Sequence, residues 1–280
     1  MKNKRKYKIV ASDLDGTLLN KEQTVSEENF CAISELKRLG VEFVPNTGRA
    51  MNEIELSLIN SPDIRYIITS NGTVVFDKKV GKPIITRYIS KAAVRLILEA
   101  IRPYNVFFVA HEGGKTYFDK NKYNSEFLDI CGVGKYYGYI IGKYAEAVED
   151  FESFLLSSNE VELICLFFEL DEGTRSCNQI LENCGMLSAA SPRANYLEIY
   201  SSNAGKGDTL VALADKLGVD IADVIAVGDS DNDSSMIEKA GLGLAVANSC
   251  DALKELADQT ICDHSEHIAK YVLENFIKNN

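Results

Sequence analysis

Tryptophan is absent from the 280-residue chain, and histidine occurs three times. No apolar stretch approaches the roughly 20 residues that a membrane-spanning helix needs, and no signal-peptide core follows the basic residues near the start. A cytoplasmic protein is expected. Seven cysteines, an odd number, include no Cys-x-x-Cys pair. Most lie in apolar segments, so they read as reduced, buried small hydrophobes and not as disulfides or a zinc cage. Positive charge is also scarce: 30 Lys and Arg stand against 41 Asp and Glu, a net charge of −11. That balance argues against a general nucleic-acid binder and against a membrane-surface protein. The one basic cluster, Lys2, Lys4, Arg5, Lys6 and Lys8, reads as a solubilising tail. The expected partner is a small molecule, and the expected state a monomer or homodimer.

What is present is organised around Ile9-Val10-Ala11-Ser12-Asp13-Leu14-Asp15-Gly16-Thr17. An apolar run ends in two carboxylates one residue apart, so both leave a strand on the same side. Gly16 lets the backbone turn away. Two adjacent carboxylates stay ionised only beside strong positive charge, and a hard divalent cation supplies it. Asp-x-Asp alone also describes a strand ending in a polar turn. Other segments have to decide.

Ser26 can cap a helix through about Leu39, and Val41 to Val44 is a second strand ending in Pro45-Asn46-Thr47-Gly48-Arg49. A helix from about Ala50 to Ile59 and a strand Tyr66 to Thr69, ending in Ser70-Asn71-Gly72, follow. Strand, helix, strand, helix, strand predicts a parallel sheet covered on both faces. The rhythm then breaks. Short strands, a helix at about 91–101, a hairpin around Glu112-Gly113-Gly114, helices at 122–130 and 145–156, a strand Val161 to Glu169 and a helix at 174–184 suit an α+β layer. Alternation resumes after Pro192: Tyr196 to Tyr200, a helix from Lys206, and the apolar strand Val224 to Val227 ending in Gly228-Asp229-Ser230-Asp231-Asn232-Asp233. The expected fold class is α/β, a doubly wound, Rossmann-like parallel-sheet core with an inserted α+β domain. The core spans 1–83 and 190–280, and the insertion 84–189.

Ligands in open parallel sheets gather outside the carboxyl ends of the strands. Asp13, Asp15, Thr47, Arg49, Asn71, Asp229 and Asp233 fall there, with Lys206 where a loop enters a helix. Four carboxylates, an amine, a hydroxyl and helix-start amides suit a magnesium ion held together with a phosphoryl group.

These segments resemble the haloacid dehalogenase superfamily, in its Cof-like, type IIB sugar-phosphatase branch. Asp13-Leu14-Asp15-Gly16-Thr17 matches the first motif, Thr47-Gly48-Arg49 the second, Lys206 the third and Gly228 to Asp233 the fourth. The insertion then resembles that branch's cap. The resemblance implies Asp13 as nucleophile forming an aspartyl-phosphate, and Asp15 as the acid that protonates the leaving alcohol and later the base that activates water. It implies Thr47 and Lys206 on the transferring phosphoryl group. Mg²⁺ would be held by the Asp13 and Asp229 carboxylates and the Asp15 carbonyl, with Asp233 behind them. Gly48, Arg49, Asn71 and Asn232 would surround the phosphate.

The sequence departs from the family pattern at Asn46, where Ala or Ser is usual, and at Cys262-Asp263-His264-Ser265-Glu266-His267, where an Asn, an acidic stretch and a Gly are usual. That second segment reads as a polar loop without metal, with His264 open to a substrate contact. Tyr136, Tyr137 and Tyr139 could stack on a sugar or belong to a domain core. The expected activity is a magnesium-dependent phosphatase for small phosphate monoesters, sugar phosphates first. A phosphohexomutase-like transfer and a non-catalytic phosphometabolite sensor on the same fold are the alternatives.

Overall fold

The computed structural model describes residues 6–279. The chain falls into two compact units: one runs up to Gly48 and includes Ile54–Ile85 and everything from Gly205 onward, the other comprises Arg49–Glu53 and Thr86–Ala204. In chain order the first strands are β1 (Ile9–Ser12), β2 (Glu42–Pro45), β3 (Tyr66–Thr69), β4 (Val74–Asp77) and β5 (Lys82–Thr86). There follow β6 (Val106–Glu112), β7 (Lys115–Asp119), β8 (Glu146–Val148), β9 (Val161–Phe168), β10 (Leu187–Arg193) and β11 (Tyr196–Ser201). The last are β12 (Val224–Gly228), β13 (Leu242–Ala245) and β14 (Gln259–Thr260).

In the first unit, five strands in the order β14-β13-β12-β1-β2 form an all-parallel sheet. Both β1 and β12 are buried along their whole length. Their runs are continuously apolar and do not alternate, as a sheet covered on both faces requires. Ile9, Ala11, Val44, Val224 and Ala226 pack with Leu210 and Leu213 of the helix Lys206–Leu217. Each buried Ile, Val or Leu among them contributes about 1.5–3 kcal/mol relative to exposure. The Ser26 hydroxyl caps the helix Glu27–Arg38 by accepting from the Asn29 amide at 3.2 Å.

Two expectations need correction here. Strand β3 touches the parallel sheet only through an isolated bridge, Asn46 with Ile68. It pairs antiparallel with β4 in a separate sheet ordered β3-β4-β5. Ser70, Asn71 and Gly72 all have positive φ, and this tight reversal folds β4 straight back onto β3. The expected helix at about 50–59 is two pieces, Met51–Glu53 and Leu56–Asn60. The break lies where the chain passes from one unit to the other, because Arg49–Glu53 packs with the second unit. There the Asn52 amide donates to Gly114 O at 3.0 Å, and Thr116 Oγ1 donates to Glu53 Oε1 at 2.7 Å.

The second unit is built on a sheet in the order β10-β11-β9-β6-β7-β8, antiparallel except for the β7–β8 pair. Its central strand β9 is buried at all eight positions. Ile164, Leu166 and Phe168 pack with Ile97, Ile101, Cys177 and Leu181 on one side. Leu163, Cys165 and Phe167 pack with Phe107, Val109 and Tyr196 on the other. The return to the first unit comes at Gly205, and not at 190 as the sequence suggests. Strand β11, expected in the parallel core, pairs antiparallel with β9, Glu198 opposite Cys165. The helix Lys135–Tyr144 was not foreseen.

Candidate active site

Strands β1 and β12 lie side by side with Ser12 opposite Val227, so their carboxyl ends coincide. The Asp13 amide donates to Val227 O at 2.9 Å, which fixes the residue as it leaves the sheet. Beyond it, Leu18 N donates to Asp13 O at 3.3 Å and Leu19 N to Leu14 O at 2.9 Å, closing a tight turn that carries Asp15 and Gly16. Gly16 has φ +74°, and a Cβ there would lie 2.5 Å from Asp229 Oδ2. Only glycine permits both the turn and this approach.

After β12 the chain turns so that the Asp229 and Ser230 amides both donate to Asp233 Oδ2, at 2.9 and 3.1 Å. Asp233 is thereby held under the turn with its other oxygen free to face Lys206. Lys206 opens its helix, and its Nζ lies 2.6 Å from both Asp13 Oδ1 and Asp233 Oδ1. The lysine side chain is 1% exposed. Burial opposes its charge, but the Asp13 and Asp233 carboxylates outweigh that and hold its pKa above the ordinary lysine value.

The carboxylates outnumber the ammonium. Asp13, Asp229 and Asp233 each bring an oxygen within 4.8 Å of the others. Burial pushes Asp13 well above the usual carboxylate range, Lys206 pulls the other way, and Asp233, Asp229 and Asp15 add to the rise. Asp229 is pushed up to about 7 by burial and then by Asp233, against Lys206 and the Thr17 hydroxyl. Both shifts say that the site lacks positive charge for the anions it gathers. An all-oxygen donor set with surplus negative charge fits a hard divalent cation. The Asp15 carboxylate lies outside this trio.

The predicted phosphate-binding residues divide between the units. Thr47 is buried two residues beyond β2, its amide donating to Ile68 O at 3.0 Å. The Asn71 amide donates to Thr47 O at 3.1 Å, and Asn232 Nδ2 donates to Asn71 Oδ1 at 3.1 Å. A Cβ on Gly48 would lie 2.9 Å from that same Asn71 oxygen. Gly48, Asn71 and Asn232 thus converge. Arg49 belongs instead to the second unit, where Nη1 donates to Glu53 O at 3.1 Å.

Two contributors were not identified from sequence. Asn46 Nδ2 donates to Lys206 O at 3.1 Å and so holds the start of the lysine's helix. Thr17 Oγ1 donates to Asp229 Oδ1 at 3.3 Å. Asn46 stands beside the second motif and Thr17 ends the first, but the partner of each is far away in sequence. His264 does not stand free: its Nδ1 lies 2.9 Å from Leu19 O. His267 has a left-handed backbone with φ 63°, and its Nδ1 lies 2.9 Å from Ser26 Oγ. Tyr137 packs edge-on against Phe167 and Tyr196 within the second unit, its hydroxyl 3.1 Å from Glu198 Oε1. It is a core residue there. Tyr139 is exposed and accepts from Lys143 Nζ at 2.8 Å, and the Tyr136 side chain lies outside the described residues.

The family model described as haloacid dehalogenase-like hydrolase matches residues 10–272. The chain belongs to that family. Its motifs place it in the Cof-like, type IIB branch, and it is a phosphatase. It is 29% identical to Phosphatase YwpJ of Bacillus subtilis over 96% of this chain and all of that protein. It is 30% identical to the B. subtilis 5-amino-6-(5-phospho-D-ribitylamino)uracil phosphatase YwtE over 96% of this chain and 98% of that one. A solved haloacid dehalogenase-like hydrolase from B. subtilis superposes with a TM-score of 0.82 at 28% identity, covering 96% and 99% of the two chains. No helix among the described residues is long and apolar enough to cross a membrane.

Proposed function

We propose that the protein is a magnesium-dependent phosphomonoesterase for small phosphate esters, sugar phosphates and phosphorylated sugar alcohols first, working through an aspartyl-phosphate on Asp13. The observation that carries this is Lys206 Nζ at 2.6 Å from both Asp13 and Asp233, with Asp229 completing a trio of carboxylates at the carboxyl ends of β1 and β12. Lys206 neutralises the Asp13 carboxylate and would neutralise the incoming phosphoryl oxygens. Asp13 attacks phosphorus, the ester bond to the alkoxide breaks, and Asp15 gives that oxygen its proton. Asp15 then takes a proton from water as the water oxygen attacks the acyl phosphate, releasing inorganic phosphate and restoring Asp13. Thr47, the Gly48 backbone, Asn71 and Asn232 would hold the phosphoryl oxygens, and Arg49 is assigned to the phosphate on the family resemblance. Mg²⁺, held by Asp13, Asp229 and the Asp15 carbonyl with Asp233 behind, would supply the positive charge that the carboxylate trio lacks.

The second unit, from 86 to 204 with the Arg49–Glu53 segment, is assigned the reading of the leaving group. The relative named for 5-amino-6-(5-phospho-D-ribitylamino)uracil makes phosphorylated sugar alcohols a class worth testing beside hexose and pentose phosphates. The test is a phosphate-release screen over these classes, nucleotides and cofactor phosphates, compared by kcat/KM. Turnover is expected on small sugar or sugar-alcohol esters, abolished by EDTA and restored by Mg²⁺, with Ca²⁺ a poor substitute because of its looser coordination. Full activity in chelator would remove the metal from the account. An isomerised sugar phosphate in place of free phosphate would move the assignment to a mutase.

A further inference from the structure

The turn that carries Asp15 is short and polar, and its outward-facing carbonyls have to be met from elsewhere. Gly16 O accepts from Asn248 Nδ2 at 2.8 Å. Asn248 cannot swivel, because its Oδ1 accepts from the His264 amide at 3.1 Å. His264 then reaches the far end of the same turn, Nδ1 lying 2.9 Å from Leu19 O. A carbonyl only accepts, so Nδ1 carries the hydrogen, whatever the charge on the ring.

The loop that presents His264 is itself tied down. Asp263 Oδ1 accepts from Ser265 N at 3.0 Å and Ser265 Oγ at 2.7 Å, and the Asp263 amide donates to Glu266 Oε1 at 3.2 Å. The Ala247 amide donates to Cys262 O at 3.1 Å, which fixes the loop beside the strand that leads to Asn248. Asn248 and the anchored loop that holds it thus grip the turn at its middle, Gly16, and just past its end, Leu19, and the turn contains a single candidate proton carrier.

We propose that His264 and Asn248 are positioning residues that clamp the Asp15 turn and so set the efficiency of proton transfer to the leaving group. This rests on the role given to Asp15 above. A misplaced acid matters where the leaving alkoxide needs a proton, and little where a nitrophenolate leaves unaided. The selectivity between leaving groups is therefore the signature, and loss of fold would not produce it.

The test compares first-turnover rates of the full-length protein on a sugar phosphate and on p-nitrophenyl phosphate, for wild type, His264→Leu and His264→Asn, with melting temperatures alongside. Asn places a donor nitrogen at nearly the same distance from the backbone as His Nδ1. General acid assistance is worth about 10²–10⁴-fold. Partial loss of it predicts that His264→Leu slows the sugar phosphate about tenfold or more, slows p-nitrophenyl phosphate by less than about threefold, and leaves KM near wild type. His264→Asn should recover most of the loss. Asn248→Ala should show the same selectivity, and its combination with His264→Leu should be less than additive. Equal losses on both substrates, no loss on either, or His264→Asn no better than Leu would overturn the clamp. A wild type that releases phosphate from neither substrate would instead overturn the phosphatase reading.

Discussion

Lys206 decides the chemistry at the scale of single residues. A fully buried ammonium between two carboxylates is held by charge and hydrogen bonds, and removing it leaves two buried anions without a partner. Lys206→Met is expected to abolish turnover and to destabilise the protein by about 3–5 kcal/mol, read from urea unfolding. Adding Asp233→Asn should recover part of that stability and none of the activity; an unchanged midpoint in Lys206→Met would show that the triad is not the tight unit described here. The grouping of Asp13, Lys206, Asp229 and Asp233 was legible in the sequence, because each sits where an apolar strand ends or a helix begins. Asn46 and Thr17 were not legible in their roles. Their partners, Lys206 and Asp229, lie 160 and 212 residues away, so only the folded sheet makes the pairs.

Elements show where pattern alone runs out. An apolar run such as Tyr66–Thr69 fits a parallel or an antiparallel neighbour equally well, and the three positive φ values after it decide for the hairpin. The Arg65–Asp77 pair then locks that hairpin: Nε donates at 3.0 Å and Nη2 at 2.8 Å, and these bonds hold the Asp77 carboxyl below the usual range. A carboxyl whose pKa is lowered by folding stabilises above its unfolded value of about 4, and that stability disappears as pH falls through the lower folded value. Arg65→Met is expected to cost about 1–2 kcal/mol at pH 7, discounted because the arginine is about a third exposed. The stabilities of the two proteins should converge as pH falls through that lowered folded value. A difference that persists undiminished in acid would assign the effect to packing and not to the ion pair. The helix Lys135–Tyr144 escaped notice for a different reason: its Tyr- and Gly-rich run has weak helical propensity, and packing of Tyr137 and Ile141 against the sheet overrides it.

At the scale of the whole molecule, the break in strand–helix rhythm after Asn71 revealed an inserted domain, while its return point was placed early. Residues 196–200 form a strand-like run, apolar apart from Glu198, that any sheet could accept, and nothing local to it names β9 as its partner. The division into units bears on function through Arg49–Glu53, which begins with the last residue of the second motif yet packs with the second unit. The reaction itself turns on what forms on Asp13, the first residue beyond β1. Asp15→Asn keeps the Asp13 nucleophile and lacks the base for water attack, so with p-nitrophenyl phosphate and Mg²⁺ it should release a burst of nitrophenolate and accumulate phosphoenzyme. Acid quench within the first turnover, followed by intact-mass and peptide analysis, is the direct measurement. One phosphoryl group is expected on the peptide containing Asp13, and none when Asp13→Asn is treated in the same way. Nitrophenolate released with no phosphoryl group on the protein, or a phosphoryl group still found on Asp13→Asn, would contradict it.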